Sequence, residues 1–232
     1  MFQVDFYESG IGETTIVTFP DNSIGVIDAY PSSCKQRPDI DSLTSGKKVR
    51  FVCLSHPHDD HAKDLASVVE HSIPDEFWHT IRAIKSYFYK ASEYNKYVSP
   101  VDNHVQKRYT EAVQSMIALF SAAQQKRVTQ SIISNEIMEK NIAGVQISFW
   151  APSNQSLSKF DYDLEDAIQS QKGVLPDYNS ISSIIAFKYG EHIFIHGGDA
   201  PAQEWIKVCS KTKKITADLM KIPHHGADNA LF

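Results

Sequence analysis

The chain has 232 residues, 42% of them apolar, and sets 23 Lys and Arg against 28 Asp and Glu for a formal charge of -5. That is enough apolar material for the core of one large domain or two small ones, and it is ordinary globular composition. The balance excludes a protein governed as a whole by attraction to nucleic acid or to a membrane surface. The charge is uneven, however: Arg82 to Lys140 holds nine basic and five acidic residues, net +4, leaving 14 against 23, net -9, for the remainder. Three widely spaced cysteines, Cys34, Cys53 and Cys209, include no Cys-x-x-Cys pair, so neither a disulfide framework nor a thiolate zinc site is indicated.

In chain order, Phe2 to Tyr7, Thr14 to Phe19 and Ile24 to Ala29 read as short strands of an antiparallel meander, with Gly10, Gly12 and Asp21-Asn22 as turn formers. The N-terminal alternation lacks the cationic and apolar regions of a signal peptide. No stretch approaches the roughly 18 to 20 apolar residues of a membrane span, so a cytoplasmic protein without a membrane partner is expected. Val49 to Leu54 is a continuous apolar run, as in a strand buried on both faces, and Ala62 to His71 has helical spacing. Glu76 to Thr80 can form another strand. From Ile81 to about Lys140 the pattern becomes helical, with Val113, Met116, Ile117 and Phe120 at 3-4 spacing, and reads as an insertion. Strands resume at Val145 to Trp150, Ser183 to Tyr189, Ile193 to His196 and Leu219 to Ile222, with a polar linker at Ser153 to Ser158, a loop at Gly173 to Asn179 and a tight hairpin at Gly190-Glu191. This alternation predicts two sheets sandwiched between helical layers.

Chemistry concentrates in Ser55-His56-Pro57-His58-Asp59-Asp60-His61, at the end of the apolar strand. Imidazole nitrogen and carboxylate oxygen suit zinc, iron and manganese, and a turn leaving a buried strand can aim several of them into one cleft. In the form His-x-His-x-Asp-His, His56 and His58 hold one metal, and Asp60 and His61 hold a second. The alternative is a histidine-rich surface loop. Two later strands also end in candidate ligands: Ile193 to His196 runs into Gly197-Gly198-Asp199, and Leu219 to Ile222 into Pro223-His224-His225-Gly226. Asp199 could bridge two cations or be a turn aspartate. His225, or else His224, would close the second site, unless the pair only enters a helix or turn.

These strings together resemble the metallo-β-lactamase-fold superfamily of metallohydrolases, an α/β αββα sandwich with metal ligands on loops at one edge of its sheets. Ser55 to His61, Asn179-Ser180, Tyr189-Gly190, Gly198-Asp199-Ala200 and Lys221 to Gly226 are most similar to the soluble hydrolase domain of ComEC-like competence proteins. The resemblance spans nearly the whole chain. It implies His56 and His58 on one metal, Asp60, His61 and His225 on the other, Asp199 as the bridge, and Asp28 as a buried aspartate supporting the metal loop. The sequence departs from the pattern at Lys63-Asp64, where glycines are common. His79 stands where many members place a further ligand, or is a strand histidine facing solvent. Only six residues follow Gly226, where the fold adds a strand and a helix, so a single domain over 1–232 lacking its last elements is expected.

The reading that follows is a dinuclear hydrolase with two divalent ions, zinc before manganese or iron, and a metal-bridging hydroxide as nucleophile. Asp60 and His224 are the catalytic candidates, His224 as the acid for the leaving group. Arg82, Lys85, Lys90, Lys96, Lys107 and Arg108 interleave with Tyr87, Phe88, Tyr89, Tyr94, Tyr97 and Tyr109. Cations that draw phosphates and aromatic faces that stack on bases favour a phosphodiesterase or nuclease, although the same residues also suit an amphipathic helix pair. The alternatives are a lactone, thioester or carboxylic-ester hydrolase, or a metal-bound effector subunit active only with a protein partner. Oligomeric state is not readable from the sequence.

Overall fold

The computed structural model describes residues 1–8, 12–31, 39–82, 103–137, 139–170, 176–211 and 215–227. Strands β1 (Gln3–Glu8), β2 (Glu13–Thr18) and β3 (Ile24–Ile27) form the antiparallel meander. Then β4 (Val49–Cys53), β5 (Glu76–His79) and β6 (Thr129–Ile132) join in parallel, giving a six-stranded sheet in chain order. Parallel neighbours need crossovers, and helices lie in each connection: α1 (Ile40–Thr44), then α2 (Asp59–Ala62) and α3 (Leu65–Ser72), then α4 (Asn103–Gln125).

The second sheet has the order β11-β10-β9-β8-β7, from β7 (Lys140–Ile142), β8 (Val145–Ala151), β9 (Ile184–Tyr189), β10 (His192–His196) and β11 (Leu219–Lys221). Helix α5 (Asn154–Ser170) and a 3-10 turn at Tyr178–Ile181 separate β8 from β9, and α6 (Ala202–Lys211) carries the chain from β10 to its parallel neighbour β11. Tyr189 pairs with His192 across Gly190-Glu191, with Gly190 at φ 59°, so the expected tight hairpin is present.

The apolar run of β4 is explained by burial on both sides. Val52 joins the helix-facing core, while Phe51 and Cys53 join the core between the sheets. There Phe51 stacks on Trp78 at 3.8 Å and faces Phe187 of the second sheet at 6.4 Å. Leu65, Val68 and Val69 of α3, Met116 and Leu119 of α4, and Leu157, Phe160 and Leu164 of α5 cover the outer face of the first sheet. Trp205 and Val208 of α6 cover Ile184, Ala186 and Ile195 of the second. The result is an α/β sandwich of two mixed sheets between helical layers.

Three expectations change. Ser153 to Ser158 is no linker: Ser153 Oγ accepts from Ser156 N at 3.1 Å, capping a helix whose buried face is Leu157, Phe160, Leu164 and Ala167. The helical stretch ends at Gln125, because the polar segment Thr129–Ile132 adds a strand to β5. Most of the basic and aromatic stretch, from Lys85 through Tyr97, lies outside the described residues, while Lys107, Arg108 and Tyr109 fall within α4. Arg82 is engaged with α5, donating to Ser158 Oγ at 2.9 Å and to the Asn154 carbonyl at 3.3 Å. Finally, His79 does not face solvent. It is buried between Phe77 and Phe120 and joins none of the metal-competent clusters among the described residues. No described helix is long and apolar enough to cross a membrane, and Cys53 and Cys209 are free.

Candidate metal centre

The site is built where strands of both sheets end. Past β4 the chain bends through Ser55 to Pro57, is extended at His58 and then turns once as α2, so that Asp60 and His61 sit on successive helical positions. The loop is pinned from several sides. Ala29, just past β3, donates to His61 O at 2.8 Å and accepts from Asp64 N at 2.9 Å, and Ser183 N donates to Ser55 O at 3.0 Å. Asp59 Oδ1 accepts from Ser115 Oγ of α4 at 2.6 Å. The loop is thus tied to the first sheet, the second sheet and the covering helix.

Asp28 ends β3 at φ 56°, a left-handed conformation that aspartate tolerates better than most residues. Its buried carboxylate accepts from Ser55 N at 2.8 Å, Ser55 Oγ at 2.6 Å and His61 Nδ1 at 2.8 Å. That last contact assigns a proton to Nδ1 and turns Nε2 towards Asp199. His61 Nε2 is buried and has no hydrogen-bond partner.

From the second sheet, Gly198 sits at φ 49°, where a Cβ would come within 2.4 Å of Ser182 Oγ and 2.9 Å of Ser183 O. Only glycine fits so close to the neighbouring chain. Asp199 follows and donates its N–H to Ser182 Oγ at 2.8 Å. One oxygen, Asp199 Oδ2, then stands 3.5 Å from His61 Nε2, 3.8 Å from His225 Nε2 and 3.9 Å from His56 Nε2. Asp60 Oδ2 lies 3.9 Å from both His61 Nε2 and His225 Nε2.

These separations are too long for hydrogen bonds. They approach the spacing of ligands sharing one cation, since metal bonds of about 2.0 to 2.2 Å at a tetrahedral angle set neighbouring donor atoms about 3.3 to 3.6 Å apart. The donor set and the orphaned Nε2 of His61 therefore fit divalent metal. Two groups, His56-His61-Asp199 and Asp60-His61-His225, share His61, an arrangement consistent with a dinuclear centre.

The electrostatics agree. Burial disfavours charge on His61, but the Asp28 and Asp199 carboxylates overcome it and raise its pKa well above the usual imidazole value. Burial would raise the pKa of Asp28 and of Asp199, yet the neighbouring cations, His61 foremost, hold both below the carboxylate range. Burial, then repulsion from His61, lowers His56 well below 6.5 and His58 to about 4, leaving both rings neutral as metal ligands must be.

Of the residues expected from sequence, His56, Asp60, His61, Asp199 and His225 converge. His58 touches the cluster through His56, with Nδ1 2.8 Å from His56 Nε2, and its ring packs on Tyr178 at 5.3 Å. His224 lies to one side, its Nε2 3.4 Å from Asn179 Nδ2, and is in none of the clusters. Both residues of the His pair take left-handed backbone, at φ 47° and 51°. Sequence reasoning missed Glu13, Lys221 and His196. Glu13, on β2, forms potential ligand groups with Asp199 and His225 and with Asp28 and His196. It also pairs with Lys221, whose Nζ donates to Gly198 O at 2.7 Å and lies 3.6 Å from Asp199 Oδ1. Burial raises the pKa of Glu13 despite that lysine. A lone glutamate in a strand gives no motif signal; Lys221 and His196 did lie in strings already singled out.

No protein-family model matches the chain, and no curated protein matches it in sequence. Solved structures do. CmlA, a diiron beta-hydroxylase from Streptomyces venezuelae, superposes with a TM-score of 0.50 at 9% identity, covering 94% of this chain and 33% of that one. A metallo-beta-lactamase from Cronobacter sakazakii, a HARLDQ-motif mutant, gives 0.48 at 13% identity over 94% of this chain and 75% of that one. The dizinc quorum-quenching lactonase AidC gives 0.44 at 14% identity over 81% and 55%. The chain spans about a third of the length of CmlA. At such identities the likeness is one of fold.

Proposed function

We propose that this chain is a dinuclear metal-dependent hydrolase acting on phosphodiesters, nucleic acid among them. The observation that carries hydrolysis is the convergence of three imidazole nitrogens on one oxygen of Asp199. His56, His58 and Asp199 would hold one cation, and Asp60, His61, His225 and Asp199 the other. Bound there, divalent zinc, manganese or iron supplies Lewis acidity and brings the pKa of water towards neutrality. The chain's own part is orientation. Asp28 fixes the His61 tautomer, Ser182 fixes the backbone of Asp199, and the helix-backed loop holds Asp60 beside His61 and His225. His224, beside Asn179, would be the acid that hands a proton to a departing oxygen.

The substrate class draws on the similarity of Ser55 to His61 and Lys221 to Gly226 to ComEC-like proteins, and on the +4 balance of Arg82 to Lys140. The test pairs metal analysis with a panel of activated phosphodiester, single-stranded DNA and lactone, run on the parent and on Asp60→Ala and Asp199→Ala. The parent should carry bound metal and prefer the phosphodiester, and both variants should lose hydrolysis. Full activity in either variant would contradict the site. A preference for the lactone would keep the hydrolase and overturn its substrate.

A further inference from the structure

We propose that Glu13 is a positioning residue that aims His225 at its metal. The idea rests on the dinuclear reading above and adds a residue outside the ligand motifs. His225 needs an orienting partner more than the other ligands do. It stands on a short 3-10 turn (Pro223–Gly226), in left-handed backbone, with 39% of its side chain exposed. Its Nε2 faces Asp60 Oδ2 and Asp199 Oδ2, while its Nδ1 lies 3.3 Å from Glu13 Oε1.

The arrangement repeats that of His61, whose Nδ1 is held by Asp28 while Nε2 faces the cleft. A carboxylate on the far nitrogen fixes ring and tautomer and makes the near nitrogen a better ligand. The two carboxylates come from adjacent strands of the first sheet, Glu13 from the start of β2 and Asp28 from the end of β3. Glu13 is itself anchored by the Lys221 ammonium, which also reaches Gly198 O and Asp199 Oδ1. One glutamate therefore spans from the first sheet to a ligand carried on the turn after β11 of the second.

The experiment is a double-mutant cycle on stepwise zinc affinity, read by competition with a chromophoric chelator, with urea unfolding followed in parallel. The parent should take up two ions. Glu13→Ala should weaken one of the two steps by about 10- to 100-fold and leave the other unchanged, with Glu13→Gln, which keeps an acceptor oxygen, falling between. In the His225→Ala background the Glu13 substitutions should have no further effect on either step. If Glu13→Ala is too unstable to purify, Glu13→Gln with and without His225→Ala completes the same cycle. Unchanged affinities, equal loss at both steps, or full additivity with His225→Ala would overturn the role of Glu13. A parent that binds no metal would overturn the dinuclear reading itself, and the role of Glu13 with it.

Discussion

Asp28→Asn isolates what the buried carboxylate does for the centre. Asparagine is close to isosteric and tolerates the left-handed backbone at φ 56°, so no new strain is introduced. Its carbonyl oxygen can still accept from Ser55 N, now at 2.8 Å. The amide group then faces Ser55 Oγ and His61 Nδ1, which sit at 2.6 and 2.8 Å. Ser55 can rotate its hydroxyl to accept. His61 must give up its Nδ1 proton, and as a neutral ring it then carries hydrogen on Nε2, the nitrogen that faces Asp199. Two of three hydrogen bonds to a charged acceptor are lost, each worth about 1.5 to 3 kcal/mol, so the metal-free protein should lose about 3 to 6 kcal/mol. That is within the stability of an ordinary domain of about 5 to 15 kcal/mol. Because His61 belongs to both ligand groups, both metal-binding steps should weaken by about 10- to 100-fold, unlike the single step expected for Glu13→Ala. Urea unfolding in chelator gives the first quantity, chelator competition the second, and nitrogen-15 chemical shifts of the imidazole report the tautomer. Parent-like affinity at both steps, or an unprotonated Nε2, would refute the argument.

His79 supplies an acid-sensitivity test away from the ligands. Burial lowers its pKa to about 4, so as pH falls below 6.5 the unfolded chain takes up a proton that the folded chain refuses, and stability drops until pH reaches about 4. His79→Phe, in chelator, should remove about 2 kcal/mol of the loss between pH 7 and 5, and urea midpoints parallel to the parent's across that range would count against it. Gly198→Ala should cost about 2 to 4 kcal/mol and weaken metal uptake, since the added methyl meets Ser182 and Ser183; thermal melts and metal analysis together check this, and a stable variant with intact uptake would show that the close approach is not required. For the parent, zinc at a hundredfold excess over Kd should stabilise the fold by about 2.7 kcal/mol per site, and an unfolding midpoint indifferent to chelator would contradict a preformed site.

The fold was legible wherever burial leaves a pattern. The apolar run Val49 to Leu54 and the alternating strands near both ends announced the two sheets. Thr129–Ile132 did not, because an edge strand with exposed polar residues carries no period-two apolar signal. The helix Asn154–Ser170 was hidden by its capping serines, which read as loop until Leu157, Phe160 and Leu164 are placed on one face. The candidate cluster was legible because its residues are neighbours in sequence, and the approach of Asp199 and His225 because strand ends repeat the pattern. Glu13 was not, since its role comes from β2 lying beside the site and from Lys221 arriving across the other sheet. His79 misled for the opposite reason: a histidine at a strand end looks polar, yet Phe77 and Phe120 enclose it.

The proposed ligands come from both sheets, which would make the centre a clasp. His56 through His61 hang from one half of the sandwich and Asp199 and His225 from the other, so cations held between them would fasten the halves along their shared rim. Removing metal would release that rim first, and amide exchange at Ser183, Asp199 and His224 should quicken well before the aromatic interior around Phe51 and Trp78 parts.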